Sequence, residues 1–289
     1  MLSRAHTQRF SISNSLLFYL DHSLAPLNNT RIQTRSNQKF IHGVRADLSV
    51  MRISDFKVLT FDVYGTLIDW ESGMIAALRP LTEQIPGRLS RDQILEAHAY
   101  FESTAQRWTP GKKYAELLAG VYRRLGEYWG IATRWEDCLR YGHSVGQWPA
   151  FGDSASSLRY LKEHFLLAVL TNTDNDSFAG SNAQLDIEFD GIYTAEDIGS
   201  YKPDERNFEY LLETLAKRGI QRHEILHVAE SMFHDHAPAN RHGLANCWIY
   251  RRHDKEGFGA TMNPGELPKV DMTYNSLAEF VAAHRQERT

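Results

Sequence analysis

The sequence predicts an α/β fold: a Rossmann-like, doubly wound parallel sheet core with an inserted helical cap domain. Two patterns predict it. Short apolar, β-rich runs alternate with helical stretches along the second half of the chain, as repeated βα units do. A long stretch of helical periodicity, without a strand pattern inside it, follows the first of these runs. An insertion at that point covers the carboxyl edge of the sheet, where open α/β sheets bind ligands.

The first strand is predicted at Phe56–Asp62, because this short apolar run is followed by the turn-forming Gly65. Apolar residues spaced three and four apart then predict four helices, at Met74–Leu81, Arg91–Ala105, Tyr114–Trp129 and Trp135–Val145. Later strands are predicted at Leu166–Thr171, Gly191–Thr194, Ile225–Ala229, Asn246–Tyr250 and Val270–Tyr274. Helices between and after them are predicted at Ser154–Glu163, Asn175–Leu185, Asp204–Arg218, His236–His242 and Ser276–Arg285. Gly, Pro and charged residues predict a surface loop at Arg251–Lys269.

These patterns divide the chain into three parts. Residues 1–50 are predicted to be a disordered or targeting N-terminal tail, because they are rich in Arg, Ser, Asn and Thr and hold only two acidic residues, Asp21 and Asp47. The core is assigned to residues 51–70 and 148–289, and the helical cap to residues 71–147. If the tail is a transit peptide the protein is mitochondrial; otherwise we expect it in the cytoplasm.

Composition excludes several classes of partner. A net charge of −4 and a pI near 6.4 provide no basic field for nucleic acid or for an anionic membrane surface. The two cysteines, Cys138 and Cys247, are far apart in sequence, which disfavours a disulfide framework and fits a reducing compartment. The longest apolar runs fall short of the ~20 residues that span a bilayer. We expect a small-molecule substrate as the partner, and a homodimer is compatible with the sequence.

The segment Phe61–Leu67 carries the strongest chemical signal. Asp62 follows a buried strand and precedes a glycine turn, which places its carboxylate among backbone N–H groups that can hold an anion. Such a carboxylate can attack carbon or phosphorus directly and form an ester intermediate. The simpler alternative is that Asp62 caps the following helix and Gly65 only makes the turn.

Other polar residues follow later strands of the same predicted sheet. Thr171 and Asn172 end the second strand with a hydroxyl and an amide that can bind a substrate anion. Pro203 biases Lys202 towards an extended conformation, from which its ammonium can reach a carboxylate. Each also has a structural alternative, an ordinary turn or a solvated charge.

Two acids, Glu230 and Asp235, end a further strand of the predicted sheet. In a simpler alternative, these two carboxylates only begin the next helix.

The order of these segments resembles the four-motif signature of the haloacid dehalogenase superfamily, over about Val58 to Tyr250. Within it, the runs FDVYGTLIDW and GSYKP are most similar to the type II 2-haloacid dehalogenases. The resemblance implies that Asp62 is the nucleophile and that Thr66 supports it. It further implies that Lys202 screens the carboxylates and that Asp235 helps to activate the hydrolytic water. For substrate binding it implies Tyr64, Thr66, Thr171, Asn172 and an arginine of the cap, for which Arg107 is the candidate.

Tyr64 separates the two enzymatic hypotheses. Phosphatases of the superfamily usually have a second aspartate at this position, because an alkoxide leaving group needs a proton as it departs. A halide ion leaves without a proton. Tyr64 therefore favours a dehalogenase-like hydrolase that displaces halide from a small 2-halocarboxylic acid through an aspartyl ester, without a cofactor or metal.

Glu230 favours the alternative. Two acids five positions apart are what phosphatases of the superfamily offer to Mg²⁺, which prefers oxygen ligands. In that case Asp62, Glu230 and Asp235 would hold the ion, and the substrate would be a small phosphomonoester. A third hypothesis is a catalytically silent binding protein that keeps the fold.

Overall fold

A parallel sheet of six strands forms the centre of the described part of the chain, residues 51–289 of a computed structural model. The predicted N-terminal tail, residues 1–50, lies outside these residues. The strand order is β3-β2-β1-β4-β5-β6. The strands are β1 Val58–Phe61, β2 Leu166–Thr171, β3 Gly191–Thr194, β4 Ile225–Ala229, β5 Ala245–Ile249 and β6 Met272–Tyr274. All five pairings are parallel, so the predicted fold class is confirmed.

The central strand β1 is apolar because it is covered on both faces. Every residue of β1 is buried. Its side chains alternate between the two faces, as strand geometry requires, so that Leu59 and Phe61 join the larger apolar cluster and Val58 joins the smaller one. Phe61 lies beside Val169 of β2 and Val228 of β4. This register brings the residues that follow β1, β2 and β4 to one edge of the sheet.

The insertion after β1 consists of helices, as its periodicity predicts. They are α1 Trp70–Thr82, α2 Arg91–Trp108, α3 Tyr114–Trp129 and α4 Trp135–Gly142. Helix α2 begins with a capping box, in which the Ser90 hydroxyl accepts from the backbone N–H of Gln93. Helix α3 ends at Gly130, whose φ of 73° is the left-handed conformation that commonly terminates helices.

The remaining helices alternate with the strands. They are α5 Ser154–Lys162, α6 Asn175–Leu185, α7 Ala195–Ile198, α8 Glu205–Lys217, α9 Ala237–Arg241 and α10 Leu277–Glu287. The helix predicted at His236–His242 is wrong in its beginning. A π-helical turn, Met232–His236, comes first, and α9 continues from it. Within residues 51–289 no helix is both long and apolar enough to cross a membrane.

Helices α3 and α4 approach each other closely at Gly142. A Cβ on this glycine would lie 2.0 Å from the carbonyl oxygen of Ala115, a backbone atom that cannot move aside cheaply. Gly120, in the middle of α3, has nothing within 4 Å of the same position. The two glycines therefore form a matched pair for testing the packing of the insertion.

We expect Gly142→Ala to lower the free energy of unfolding by ~1–3 kcal/mol, because the added methyl overlaps the backbone of α3. Gly120→Ala should leave stability unchanged or raise it by up to ~1 kcal/mol through helix propensity. Urea denaturation of both variants measures the difference. Equal stability of the two would show that α3 and α4 do not pack as described.

Candidate active site

A narrow cavity opens at the carboxyl edge of the sheet, between the ends of β1, β2 and β4 and the helical insertion. Its volume is about 30 Å³, room for one or two water molecules. Residues from the sheet edge line one side, and residues from α1, α2 and α3 line the other. The lining residues are Asp62, Tyr64, Trp70, Glu102, Gln106, Tyr114, Asn172, Thr173, Lys202, Ser231, His234, Asp235 and Thr261.

Lys202 joins the two predicted catalytic carboxylates. Its Nζ donates to Asp62 Oδ1 at 2.9 Å, to Asp235 Oδ1 at 2.7 Å and to the Leu170 carbonyl at 2.8 Å. An ammonium has three N–H groups, so all of them are engaged. Lys202 is 1% exposed, and both carboxylates are also buried. The structure thus brings together the three residues predicted to be catalytic.

The charges of this group depend on one another. Burial, together with the negative charge of Asp235, raises the pKa of Asp62, against the opposing effects of Lys202 and Thr66. Burial also acts to raise the pKa of Asp235, but the charge of Lys202 and the hydrogen bond from His227 outweigh it and hold that pKa well below the usual range. Burial acts to lower the pKa of Lys202, and the two carboxylates reverse this effect and raise it. The two carboxylates therefore titrate as a pair that Lys202 holds together.

Thr66 and Asn172 support the catalytic side chains. The Thr66 hydroxyl donates to Asp62 Oδ2 at 2.7 Å and accepts from the backbone N–H of Glu230 at 2.9 Å. The Asn172 amide accepts from the backbone N–H of Lys202 at 2.6 Å and donates to the carbonyl of the same residue at 3.0 Å. Both were predicted to bind substrate. Their hydrogen bonds hold Asp62 and the Lys202 backbone, although Asn172 also borders the cavity.

Of two further residues predicted to bind substrate, Tyr64 and Thr171, only Tyr64 borders the cavity. The Tyr64 hydroxyl bonds to Ser181 Oγ at 2.7 Å, while other atoms of the residue border the cavity. Burial raises the pKa of this phenol. Thr171 is 1% exposed and does not line the cavity; its hydroxyl lies 3.2 Å from that of Thr173, which does.

The structure does not bring Arg107 to the cavity. This residue is exposed, and Glu102 and Gln106 of the same helix line the cavity instead. Residues four apart share one face of a helix, whereas the next residue points about 100° away. Gln106 and Arg107 are therefore on different faces of α2, and the proposed cap arginine is not supported by its position.

A polar cluster on the insertion was missed by sequence analysis. Glu102 accepts hydrogen bonds from the Tyr114 hydroxyl at 2.7 Å and from Gln106 Nε2 at 3.0 Å, and its Oε2 is 3.3 Å from His98 Nδ1. Burial acts to raise the pKa of Glu102, but the contact with His98 and the Tyr114 hydrogen bond lower it overall. The signal was present: residues 98, 102 and 106 put polar side chains at a spacing of four on the buried face of α2.

The predicted surface loop at Arg251–Lys269 is a loop, but it is not exposed throughout: Arg252 and residues 259–261 are buried. Ala260 and Thr261 are buried, and Thr261 lines the cavity. Arg252, also buried, pairs with Glu71 of α1 at 2.6 Å. Gly259 lies against this pair: its φ is 61°, and a Cβ there would be 2.0 Å from the Glu71 carboxylate. This strand-following segment therefore forms part of the wall of the cavity.

Glu230, the residue that favoured a metal site, does not line the cavity. Burial and the negative charges of Glu71 and Asp62 raise its pKa to about 8, so its carboxyl group is mostly protonated at pH 7. Lys202 Nζ already lies between the carboxylates of Asp62 and Asp235. Among residues 51–289, no three His, Cys, Asp or Glu side chains are grouped so that they could hold a metal ion. This arrangement does not support the proposed Mg²⁺ site of Asp62, Glu230 and Asp235.

The sheet brings two carboxylates and a lysine to its carboxyl edge, beneath a helical insertion, which is the edge where open α/β sheets bind ligands. A model of the haloacid dehalogenase-like hydrolases matches residues 56–238. The chain belongs to this family, and the resemblance stated from its motifs is confirmed.

Curated relatives and solved structures agree with this assignment. The chain is 31% identical over 205 residues to an (S)-2-haloacid dehalogenase of Pseudomonas sp. (strain YL), covering 68% of this chain and 83% of the relative. An (S)-2-haloacid dehalogenase of Pseudomonas putida is 26% identical over 203 residues, which is 67% of this chain and 84% of the relative.

Two structural neighbours share the fold at low sequence identity. The L-2-haloacid dehalogenase of Xanthobacter autotrophicus with chloropropionic acid covalently bound has a TM-score of 0.63 at 17% identity, covering 80% of this chain and 98% of that one. A magnesium-bound putative HAD-hydrolase of Bacillus subtilis has a TM-score of 0.62 at 20% identity, covering 80% and 99%. Fold similarity alone does not distinguish the dehalogenase from the phosphatase hypothesis. The residues of the site provide the distinction.

We expect Lys202→Met to lower the free energy of unfolding by ~3–5 kcal/mol, because it leaves two buried carboxylates without their cation. The loss of stability should be larger at pH 8 than at pH 5. Without Lys202, a buried carboxylate is stabilised by protonation, and protonation is more extensive at pH 5. Lys217→Met, an exposed change in α8, should stay within ~0.5 kcal/mol. Urea denaturation at both pH values tests this, and equal losses for the two variants would contradict the buried ion cluster.

Proposed function

We propose that this protein is a 2-haloacid dehalogenase-like hydrolase. The Asp62 carboxylate attacks the halogen-bearing carbon of a small 2-halocarboxylic acid; a carbon–oxygen bond forms and halide leaves with the bonding electron pair. Water then hydrolyses the Asp62 ester, which yields the 2-hydroxy acid and restores the carboxylate. The observation that carries the proposal is the Asp62 carboxylate itself, buried at the cavity and hydrogen-bonded to Lys202 and Thr66.

The position of Tyr64 supports halide as the leaving group. Its phenol bonds to Ser181, and its raised pKa makes it a poor proton donor near neutral pH. An alkoxide leaving group would lack an acid at this position. A halide ion needs none.

The protonation of Glu230 removes an objection to an anionic substrate. An ionised glutamate near Asp62 would repel the carboxylate of a haloacid. With its pKa raised to about 8, Glu230 is mostly neutral at pH 7 and adds little repulsion.

No cofactor is part of the proposal, and the proposed partner is the small-molecule substrate alone. A homodimer is a further proposal that size-exclusion chromatography with light scattering would test. We place the protein in the cytoplasm, supported by two buried cysteines that form no disulfide, Cys138 and Cys247. Mitochondrial targeting by residues 1–50 is the alternative, and it requires processing that N-terminal sequencing of the mature protein would detect.

Substrate assays distinguish the hypotheses. We expect halide release from 2-chloropropionate that persists in a chelator, because the proposed reaction uses only side chains. The same samples should release little phosphate from an aryl phosphate. Phosphate release that the chelator abolishes would instead establish the Mg²⁺-dependent alternative, and inactivity on both substrates would favour the binding protein.

Asp62→Asn should reduce halide release by at least ~10³-fold, because an amide is a poor nucleophile, while the thermal unfolding curve changes little. Asp176→Asn is a matched control, since Asp176 is exposed at the start of α6, and it should keep wild-type activity. Ion chromatography of released halide compares them. Wild-type turnover by Asp62→Asn would refute the nucleophile.

The raised pKa of Asp62 predicts the acid side of the pH–rate profile. Only the ionised carboxylate attacks, so single-turnover halide release should fall as pH drops, with a midpoint above the 3.8 of an ordinary aspartate. Circular dichroism over the same range separates this loss from acid unfolding. A rate that stays constant down to about pH 4 in the folded protein would contradict the assignment.

A further inference from the structure

A buried polar pair lies behind the carboxylates predicted to be catalytic, in a layer of the core that also holds Val58, Ile225 and Phe208. His227 of β4 and Thr60 of β1 are neighbours in the sheet register and are both 0% exposed. Their side chains point to the same face as Val58 and Ile225, and the Phe208 ring packs edge-on against the His227 ring at 5.2 Å. Polar groups in such a layer are costly unless they are hydrogen-bonded.

Both nitrogens of the His227 ring have partners. Nδ1 is 2.9 Å from the Thr60 hydroxyl, and Nε2 is 2.9 Å from Asp235 Oδ1. An ionised carboxylate can only accept hydrogen bonds, so Nε2 carries a hydrogen and donates it to Asp235. The Thr60 hydroxyl satisfies the other nitrogen and thereby fixes the rotation of the ring.

These contacts leave the two oxygens of Asp235 unequal. Oδ1 accepts from Lys202 Nζ at 2.7 Å and from His227 Nε2 at 2.9 Å. Oδ2 is buried and has no hydrogen-bond partner among the described residues. Asp235 borders the cavity, and Oδ2 is the oxygen of its carboxylate that has no donor. Two donors on one oxygen also prevent the carboxylate from rotating.

We infer that His227 is a positioning residue for ester hydrolysis: it holds Asp235 by Oδ1 so that Oδ2 accepts the proton of the attacking water. The inference rests on the proposed function. Water oxygen bonds to the acyl carbon of the Asp62 ester, and its proton moves to Asp235 Oδ2. The bond from the acyl carbon to the substrate oxygen then breaks, and the departing alkoxide takes that proton. The second proton of the water is released when Asp62 returns to its ionised form.

The two half-reactions depend on this arrangement to different extents. Displacement of halide by Asp62 transfers no proton, so it does not require a free acceptor on Asp235. Hydrolysis of the ester does. Loss of the Nε2 donor should therefore slow the second half-reaction and spare the first. A side chain that merely fills space in the core would affect both steps alike, through folding.

The test uses two substitutions of similar size and polarity. In His227→Gln the amide nitrogen replaces Nε2 and can still donate to Asp235, whereas in His227→Asn it replaces Nδ1 and cannot reach. Full-length protein is mixed with 2-chloropropionate. Halide and 2-hydroxypropionate are measured in the first turnovers, and the Asp62 ester is detected by mass spectrometry of the peptide that contains it.

We expect His227→Asn to release about one halide per active site in a burst and then to hydrolyse the ester at least ~10-fold more slowly than wild type. His227→Gln should retain most of the hydrolysis rate. Thr60→Val, which keeps the Asp235 contact but frees the ring, should give a smaller loss in the same step. The burst amplitude counts the folded sites, so a partly unfolded variant is corrected for.

The outcomes separate the inference from the proposed function. If wild type turns over and His227→Asn hydrolyses the ester as fast as His227→Gln, His227 has no positioning role. A decrease in both half-reactions by the same factor would also overturn it, because that is the effect of a structural residue. If wild type forms neither ester nor halide, the proposed function itself fails, and the inference fails with it.

Discussion

The rest of the site depends on the ion pairs that the buried ammonium of Lys202 makes with Asp62 and Asp235. Both carboxylates are buried. Without a cation between them, two carboxylates this close could not both remain ionised. The proposed nucleophile, Asp62, and the residue proposed to activate water, Asp235, therefore share a single positive charge. The Asn172 amide helps to position that ammonium, because it hydrogen-bonds to the N–H and the carbonyl of Lys202.

The sheet positions Lys202, Asp62 and Asp235 at its carboxyl edge and supports them with a second polar layer inside the core. Strands β1 and β4 place Asp62 and the turn that holds Asp235 beside each other at their carboxyl ends. One layer deeper, the pair of Thr60 and His227 extends the hydrogen-bonded network into the core. A buried hydrogen-bonded network of this kind is rigid, because its members would lose partners if a neighbour moved. The chemistry proposed for the site needs that rigidity, since water must meet one particular oxygen.

The fold and the catalytic group could be predicted from sequence because both follow from local patterns. Strand β3 and helix α6 have the predicted bounds, and Asp62, Lys202 and Asp235 meet as expected. Arg107 was predicted to bind substrate, but its position in the sequence does not show which face of α2 meets the cavity. A shift of one residue along a helix turns the side chain by about 100°.

Contacts between distant segments were also beyond sequence reasoning. Thr261 lines the cavity, and the segment that carries it is held by the pair of Arg252 and Glu71, 181 positions apart. A stretch rich in Gly and charged residues gives no sequence signal for such a contact. The role of Asn172 was partly missed for the same reason, since its partner is the backbone of a residue 30 positions later.

The position of β1 at the start of the described chain has a consequence for biosynthesis. Its sheet partners are about a hundred and more residues away: Val58 lies beside Leu166 of β2 and Ile225 of β4. Pairings of such long range are slow to form, because the intervening chain must first be brought together. During synthesis on the ribosome, β1 emerges long before β2 and β4. The apolar segment that ends at Asp62 therefore stays unpaired until most of the polypeptide has been made. Helices of the insertion, whose contacts are local, can form during that interval.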